Sequence, residues 1–321
     1  MSPTLQSRLP QFATAAVLAV LYVVACSLYH GFFSLRGVIN LLTDNAALGI
    51  AAVGLTLVIF SGGIDLSVGA VAGFTSIFTA TLIEQRHVHP AVAALAALAI
   101  GGALGAGMGA IIHWFRQPPF LITLAGMFLM RGCAYWITTE SIGITHPFYT
   151  RFSAFELNIG ESFSLPAAAM CLVITLGIGA VLAHQTRFGR NLLGIGSNEQ
   201  SALLMGVPIG ASRIAVYAFN SICATCAGLV LVLYTGSGNP SFGLGLELDA
   251  IAVVVIGGTL LSGGRGHMLG TLLGLLIFGV IQAALIFDGR LSPAWSRIVV
   301  GALLLAFILL QRALLNRLAR R

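Results

Sequence analysis

The sequence predicts an all-α, polytopic membrane protein of about ten transmembrane helices, interrupted by Gly-rich helix breaks. Of its 321 residues, 58% are hydrophobic and only 8% are charged. A soluble domain carries roughly 25% charged residues. This chain therefore cannot cover itself with polar surface, and lipid must be its solvent. Two Gly-rich segments, Ser61–Gly69 and Leu261–Gly270, interrupt the apolar pattern.

Ten apolar segments approach the length of about 20 residues that a helix needs to cross a bilayer. We treat them as one transmembrane domain over residues 1–321. The second and eighth segments are short, and each ends at a glycine break. The expected spans are 12–30, 43–60, 66–83, 91–113, 120–138, 165–183, 213–235, 249–261, 267–287 and 294–311.

The arginines predict the orientation. All 16 basic residues are arginine, and the net charge is +6. With the N-terminus inside, the inner loops hold ten of them and the outer loops four, as the positive-inside rule requires. The charge is thus a topology signal and not a nucleic-acid footprint. The inner set is Arg8, Arg116, Arg187, Arg190, Arg213, Arg265, Arg312, Arg317, Arg320 and Arg321, and the outer set is Arg36, Arg86, Arg151 and Arg290.

Residue types exclude several kinds of chemistry. The absence of lysine rules out a Walker A phosphate loop and a Schiff base. The seven histidines have no ligand spacing, so we expect no metal site. Cys223 and Cys226 form a C-x-x-C inside a predicted membrane helix, where small apolar packing is the expected role. We find no catalytic residue and expect the chain not to be an enzyme.

The two glycine breaks predict where a transport pathway lies. Lipid cannot satisfy the backbone groups that a break exposes, so a break persists only inside protein or beside a wet cavity. Paired interruptions in the two halves of a transporter commonly mark the substrate path. The residues that we place there are Ser61, Gly62, Gly63, Asp65, Gly263 and Gly264.

Three polar residues inside apolar segments have alternative roles. Asp65 can cap the following helix, which is the role we favour, or contact substrate directly. A proton relay would need a second intramembrane acid. Arg131 can pair with a carboxylate or with carbonyls at a helix end, or line the pathway as a donor. Asn45 can bond across helices or line the same pathway.

Residues 184–212 form a polar inner loop with a short helix at its centre. Ser197 and Gln200 have the spacing of a capping box, and Gly206 with Pro208 ends the helix. A helix of two turns is marginal in water, so we expect it to dock into another protein. The expected docking residues are Ser197, Asn198, Glu199, Ala202, Leu203 and Gly206.

Other features concern packing and the outer loops. Gly101, Gly105 and Gly109 recur every four residues, which favours close helix packing within the chain over a dimer face. The polar segments Thr139–Ser164 and Gly236–Leu248 are expected outside the membrane, either to dock a partner or to cap helices.

Several segments resemble a known family. TDNAALGIAAVGLTLVIFSGGIDLSVG at Thr43–Gly69 and ELDAIAVVVIGGTLLSGGRGHMLGTLLG at Glu247–Gly274 resemble permease subunits of bacterial ATP-binding-cassette monosaccharide importers. The loop TRFGRNLLGIGSNEQSALLMGV at Thr186–Val207 is similar to their ATPase-contacting loop. Phe120–Tyr149 and Ile286–Trp295 look most like one of the two permeases of a galactofuranose importer.

The resemblance implies an assembly in the bacterial inner membrane. It implies two permease subunits, two ATP-binding subunits and a periplasmic sugar-binding protein. ATP would be bound by the partner subunit, so this chain would carry no cofactor, and loop 184–212 would be the coupling loop. The second permease would be an unlike chain. His267 departs from the family pattern. A permease for another pentose or hexose and a proton-coupled secondary transporter remain the alternatives.

Overall fold

The structure, a computed structural model, describes residues 3–29, 34–158, 164–288 and 294–319. Arg290, Arg320, Arg321 and parts of Thr139–Ser164 and Ile286–Trp295 lie outside these ranges. The described residues form fourteen helices and two small antiparallel sheets, β1 with β4 and β2 with β3. The elements are α1 (Pro3–Leu28), α2 (Leu35–Asp44), α3 (Ala46–Phe60), α4 (Val68–Glu84), α5 (Pro90–Trp114), α6 (Pro119–Ile137), β1 (Ile142–Gly143), α7 (Pro147–Ser153), β2 (Glu156–Asn158), β3 (Ser164–Pro166), α8 (Ala167–His184), α9 (Arg187–Ser197), α10 (Glu199–Leu204), α11 (Ile209–Thr235), β4 (Ser237–Gly238), α12 (Leu246–Ile256), α13 (Met268–Asp288) and α14 (Ala294–Ala319).

Each of the ten expected spans falls on a helix, but fewer helices pass as complete spans. Within the described ranges, α5, α6, α8, α11 and α13 are long and apolar enough to cross a membrane. The pair α2 and α3, bent by 61°, makes a sixth if it is counted as one broken span. The helix α4 and the apolar parts of α1 and α14 are shorter. The chain is thus mostly helical with five or six complete spans, and the number ten is not confirmed.

The centre of the bundle is α3, in which every residue from Ala46 to Phe60 is buried. A helix that is apolar on all sides belongs in a core and not on a surface. It packs against α8, α11, α12 and α13. The glycine row of α5 lies against α11: a Cβ on Gly105 would lie 2.3 Å from the Tyr217 carbonyl oxygen. The expected packing of that row within the chain is therefore confirmed.

The segment between β4 and α12 does not stay at the outer face. It begins beside β1, a part of the chain that we assign to the outer side, and then runs along α4. Gly238 contacts the end of α4 at Ala80, and a Cβ on Gly73 would lie 2.5 Å from the Phe242 carbonyl oxygen. A Cβ on Gly69 would lie 2.1 Å from the Gly243 carbonyl oxygen. We call residues 237–245 the re-entrant segment.

This geometry corrects two expectations. From Ala80 to Gly69 the segment descends eleven residues of α4, about 16 Å at 1.5 Å per residue. The short helix α12 adds 11 residues, again about 16 Å. The eighth expected span, 249–261, is therefore wrong as a continuous helix, since α12 ends at Ile256 and the segment before it is a series of turns. Gly236–Leu248 is likewise not wholly an outer loop.

Candidate functional site

The two glycine breaks meet. The amide of Gly264 donates a hydrogen bond of 3.0 Å to the Phe60 carbonyl at the end of α3. A Cβ on Gly263 would lie 2.6 Å from the Gly62 amide nitrogen, so only glycine permits this approach. Gly62, Gly263 and Gly264 have φ of 78°, 81° and 76°, values that L side chains rarely adopt. The two breaks therefore contact each other directly.

The end of α9 forms a third wall of this contact. A Cβ on Gly196 would lie 2.1 Å from the Phe60 carbonyl oxygen and 2.5 Å from the Gly264 amide nitrogen. The hydroxyl of Ser197 donates to the Gly264 carbonyl at 3.4 Å. We call the set Gly62, Gly63, Gly196, Ser197, Gly263 and Gly264 the inner glycine junction. Through this junction, the loop that carries α10 contacts both helix breaks.

The short helix α10 begins one residue later than the sequence predicts. Ser197 is the last residue of α9, and Asn198 is the N-cap, whose side-chain oxygen accepts from the Ser201 amide at 2.8 Å. Gly206 ends the helix with φ of 79°, as expected. An ion pair of 2.9 Å between Arg213 and Glu199 attaches α10 to the start of α11.

The faces of α10 differ from the expected docking face. Ala202 is fully buried against Ile195 and Ile209 of its own chain, so the prediction that it contacts a partner is wrong. Leu203 is 63% exposed and Leu204 is 89% exposed. Two large apolar side chains are therefore exposed together at the end of α10.

Asp65 lies fully buried just before α4. Its Oδ1 atom accepts from the Ser67 amide at 2.8 Å and from the Ser67 hydroxyl at 2.6 Å. Ser67 is the N-cap of α4, so Asp65 fixes the residue before the helix and is not the N-cap that the sequence predicts. The other oxygen accepts from the Asn220 side-chain amide at 2.8 Å, which joins α4 to α11. Among the described residues, the Asn220 side-chain oxygen and the buried Tyr217 hydroxyl have no hydrogen-bond partner.

Arg131 is partly buried on α6 and is attached to the re-entrant segment. One terminal nitrogen, Nη1, donates to the Pro240 carbonyl at 2.6 Å and to the Phe242 carbonyl at 2.8 Å. Of the two roles considered, the pairing with carbonyls is therefore present. These carbonyls belong to turn residues of the re-entrant segment and not to a helix end.

Asn45 is not brought together with the other predicted pathway residues. It lies at the bend between α2 and α3, and its amide donates to the Leu41 carbonyl at 2.9 Å. It packs against Gly279 of α13. The inner glycine junction lies at the opposite end of α3, about 22 Å away along a helix of 15 residues.

Glu247, in the first turn of α12, was missed as a site candidate because the segment before α12 was assigned to the outer face. Asp249 lies in the same turn. The signal was present, since two carboxylates at the start of an unusually short apolar segment indicate a helix that begins at membrane depth.

Interrupted membrane helices that meet at one face form the architecture of an integral membrane permease. Comparison with known proteins agrees, because the family model described as "Branched-chain amino acid transport system / permease component" matches residues 37–308. The chain belongs to this family.

Individual relatives cover nearly the whole chain. It is 46% identical to the Inner membrane ABC transporter permease protein YjfF of Escherichia coli (strain K12), over 97% of this chain and 94% of that protein. It is 34% identical to the Fructose import permease protein FruG of Bifidobacterium longum (strain NCC 2705), over 97% and 92%. It is 35% identical to the Ribose import permease protein RbsC of Escherichia coli (strain K12), over 91% and 90%. No solved structure matches the chain. The chain is a multi-pass inner-membrane permease, and its relatives are permeases and not enzymes.

Proposed function

We propose that this chain is the permease subunit of an ATP-driven monosaccharide importer and forms half of its translocation pore. The observation that carries the proposal is the inner glycine junction, where the loop bearing α10 contacts both helix breaks. A movement of α10 would then be transmitted to both helix breaks at once. ATP would be bound and hydrolysed by a partner subunit, and this chain would hold no cofactor.

The ATPase would dock on the exposed side of α10. Leu203 and Leu204 provide the apolar contact, and Ala202 fixes the helix to its own chain. Asn198 and Gly206 define its two ends, and Glu199 attaches it to α11. This gives the predicted coupling residues distinct roles.

The sugar pathway would pass beside the breaks and the mid-membrane polar groups. Ser61, Gly62 and Gly63 would border its inner end together with Gly263 and Gly264. Asp65 is completely buried, so its part is to hold α4 and α11 in register. Arg131, which is partly exposed, is the better candidate for substrate contact, while Asn45 would act at the bend of the broken span.

Galactofuranose is the proposed sugar. Support comes from the resemblance of Phe120–Tyr149 and Ile286–Trp295 to a galactofuranose permease. Relatives named for ribose and fructose import make another pentose or hexose the second candidate. A sugar-binding protein would deliver the sugar from outside, and a second permease would complete the pore.

Co-purification followed by reconstitution tests the proposal. The chain should be isolated with an ATPase, a second permease and a sugar-binding protein, and vesicles containing all four should accumulate the sugar only with ATP. Uptake driven by a pH gradient without ATP would instead support a proton-coupled transporter and contradict the proposal.

A further inference from the structure

The re-entrant segment, Arg131 and Glu247 come together beside the first turns of α4. We propose that they form a mid-membrane site that binds ring hydroxyls of a neutral sugar during its passage. The inference rests on the proposed importer function and names the residues that would hold the sugar.

Arg131 supplies fixed donors. A guanidinium carries five N–H groups in a planar fork. The two bonds from Nη1 to the Pro240 and Phe242 carbonyls leave the remaining N–H groups without a hydrogen-bond partner among the described residues. The side chain is only partly buried, and the bonded end keeps the fork in place. A donor held in this way needs little ordering when a ligand binds.

Glu247 supplies the acceptor. Its Oε2 atom is buried and has no hydrogen-bond partner within the described part of the chain. It lies directly beside Gly69, where a Cβ would come within 2.2 Å of it. A buried carboxylate oxygen without a bond is costly, and a ligand hydroxyl that donates to it would remove that cost.

The neighbouring charges select the class of ligand. Arg131 and Glu247 attract each other, although they form no close ion pair. Their charges cancel, so the site favours neither anions nor cations. A sugar hydroxyl is both donor and acceptor, and neighbouring hydroxyls can therefore accept from the guanidinium and donate to the carboxylate.

The backbone supports the same conclusion. Non-helical backbone at membrane depth is tolerated where it is packed in protein or lines a water-filled cavity. The re-entrant segment satisfies part of its backbone through Arg131 and through Ser76, whose hydroxyl donates to the Asn239 carbonyl at 2.9 Å. Ser241 and Gly245 remain partly exposed. The segment thus has one side held by protein and one side open to a polar route.

The test measures recognition of single hydroxyls by the complete complex. Vesicles with the permeases, ATPase and binding protein are given D-ribose, D-fructose and methyl D-galactofuranoside, and the sugar taken up fastest is compared with its monodeoxy derivatives. We call the sugar that is taken up fastest the parent sugar. We expect Glu247→Gln to slow its uptake about tenfold, which corresponds to about 1.4 kcal/mol. The variant should hardly change uptake of the monodeoxy derivative that lacks the hydroxyl bound by Glu247. It would therefore no longer distinguish the parent sugar from that derivative. Arg131→Lys should lose discrimination in the same way.

Asp249→Asn is the matched control, because it removes the same charge two residues away on the same helix turn. It should keep the discrimination of the unaltered complex. If Glu247→Gln discriminates as the unaltered complex does, or if it slows the parent and all deoxy sugars equally, the site is refuted while the importer function stands. If the unaltered complex takes up none of the sugars, the importer function itself is contradicted.

Discussion

Gly264 donates its amide hydrogen to the carbonyl of Phe60, across 3.0 Å, at the point where the two glycine breaks meet. The Phe60 carbonyl is one of the last in α3 and needs a partner outside its own helix. The second break provides that partner, and α9 packs against the same carbonyl through Gly196. The two halves of the chain are therefore joined at the place where the loop bearing α10 reaches them.

This contact predicts that Gly264→Ala stops transport. A Cβ would lie 2.8 Å from the Ser197 Cα, and a φ of 76° adds about 1–2 kcal/mol of backbone strain. Gly236→Ala is the control, since its φ is 65° but a Cβ there meets nothing within 4 Å. Both variants should reach the membrane, and only Gly264→Ala should lose ATP-driven uptake. Equal activity of the two variants would show that the junction has no role in transport.

The exposed side of α10 predicts an uncoupled variant. Leu203→Glu or Leu204→Glu places a charge in the proposed ATPase contact without disturbing the fold, because both side chains are exposed. Uptake should fall at least tenfold while the amount of permease in the membrane stays unchanged. Leu157→Glu on the outer hairpin, where the leucine is 42% exposed, should retain uptake. Normal uptake by both α10 variants would remove α10 as the coupling element.

The bonds of Asp65 predict different effects for two substitutions. Asp65→Ala leaves Ser67 and Asn220 unsatisfied in the core and should cost roughly 3 kcal/mol. Asp65→Asn should cost much less, because Asn220 can rotate its amide and present its unpartnered oxygen to the new side chain. Thermal unfolding of the purified permease in detergent measures both. Similar melting temperatures for the two variants would contradict the hydrogen-bonding role.

An unlike second permease predicts the behaviour of the isolated subunit. A homodimer needs a self-complementary face, whereas two different subunits need only fit each other. This chain, with ATPase and binding protein but no other permease, should show no uptake, and adding the second permease should restore it. Full uptake without that addition would establish a homodimeric pore.

Much of the fold could be predicted from the sequence. Composition alone requires a membrane environment, and each expected apolar segment falls on a helix. The end of α10 at Gly206 follows from local residue chemistry, and the structure contains it. Asp65, the predicted cap of α4, instead bonds Ser67, which is the actual N-cap. The N-cap at Asn198 was missed by one residue because Ser197 and Asn198 are both good caps. The local pattern does not distinguish them, while the bond from Ser197 to Leu193 assigns Ser197 to the preceding helix.

What the sequence by itself determined is the membrane class, the helix content, the glycine breaks and the family, because each depends on residue type or on neighbours in the chain. Only the tertiary structure decided that Gly264 meets Phe60, that Ala202 faces inward and that residues 237–245 run along α4. These are contacts between residues far apart in the chain. They depend on how helices pack around α3. The local sequence pattern does not indicate which glycine packs against which backbone segment. The position of Glu247 beside Gly69 follows from the same packing, since its helix starts where the re-entrant segment ends.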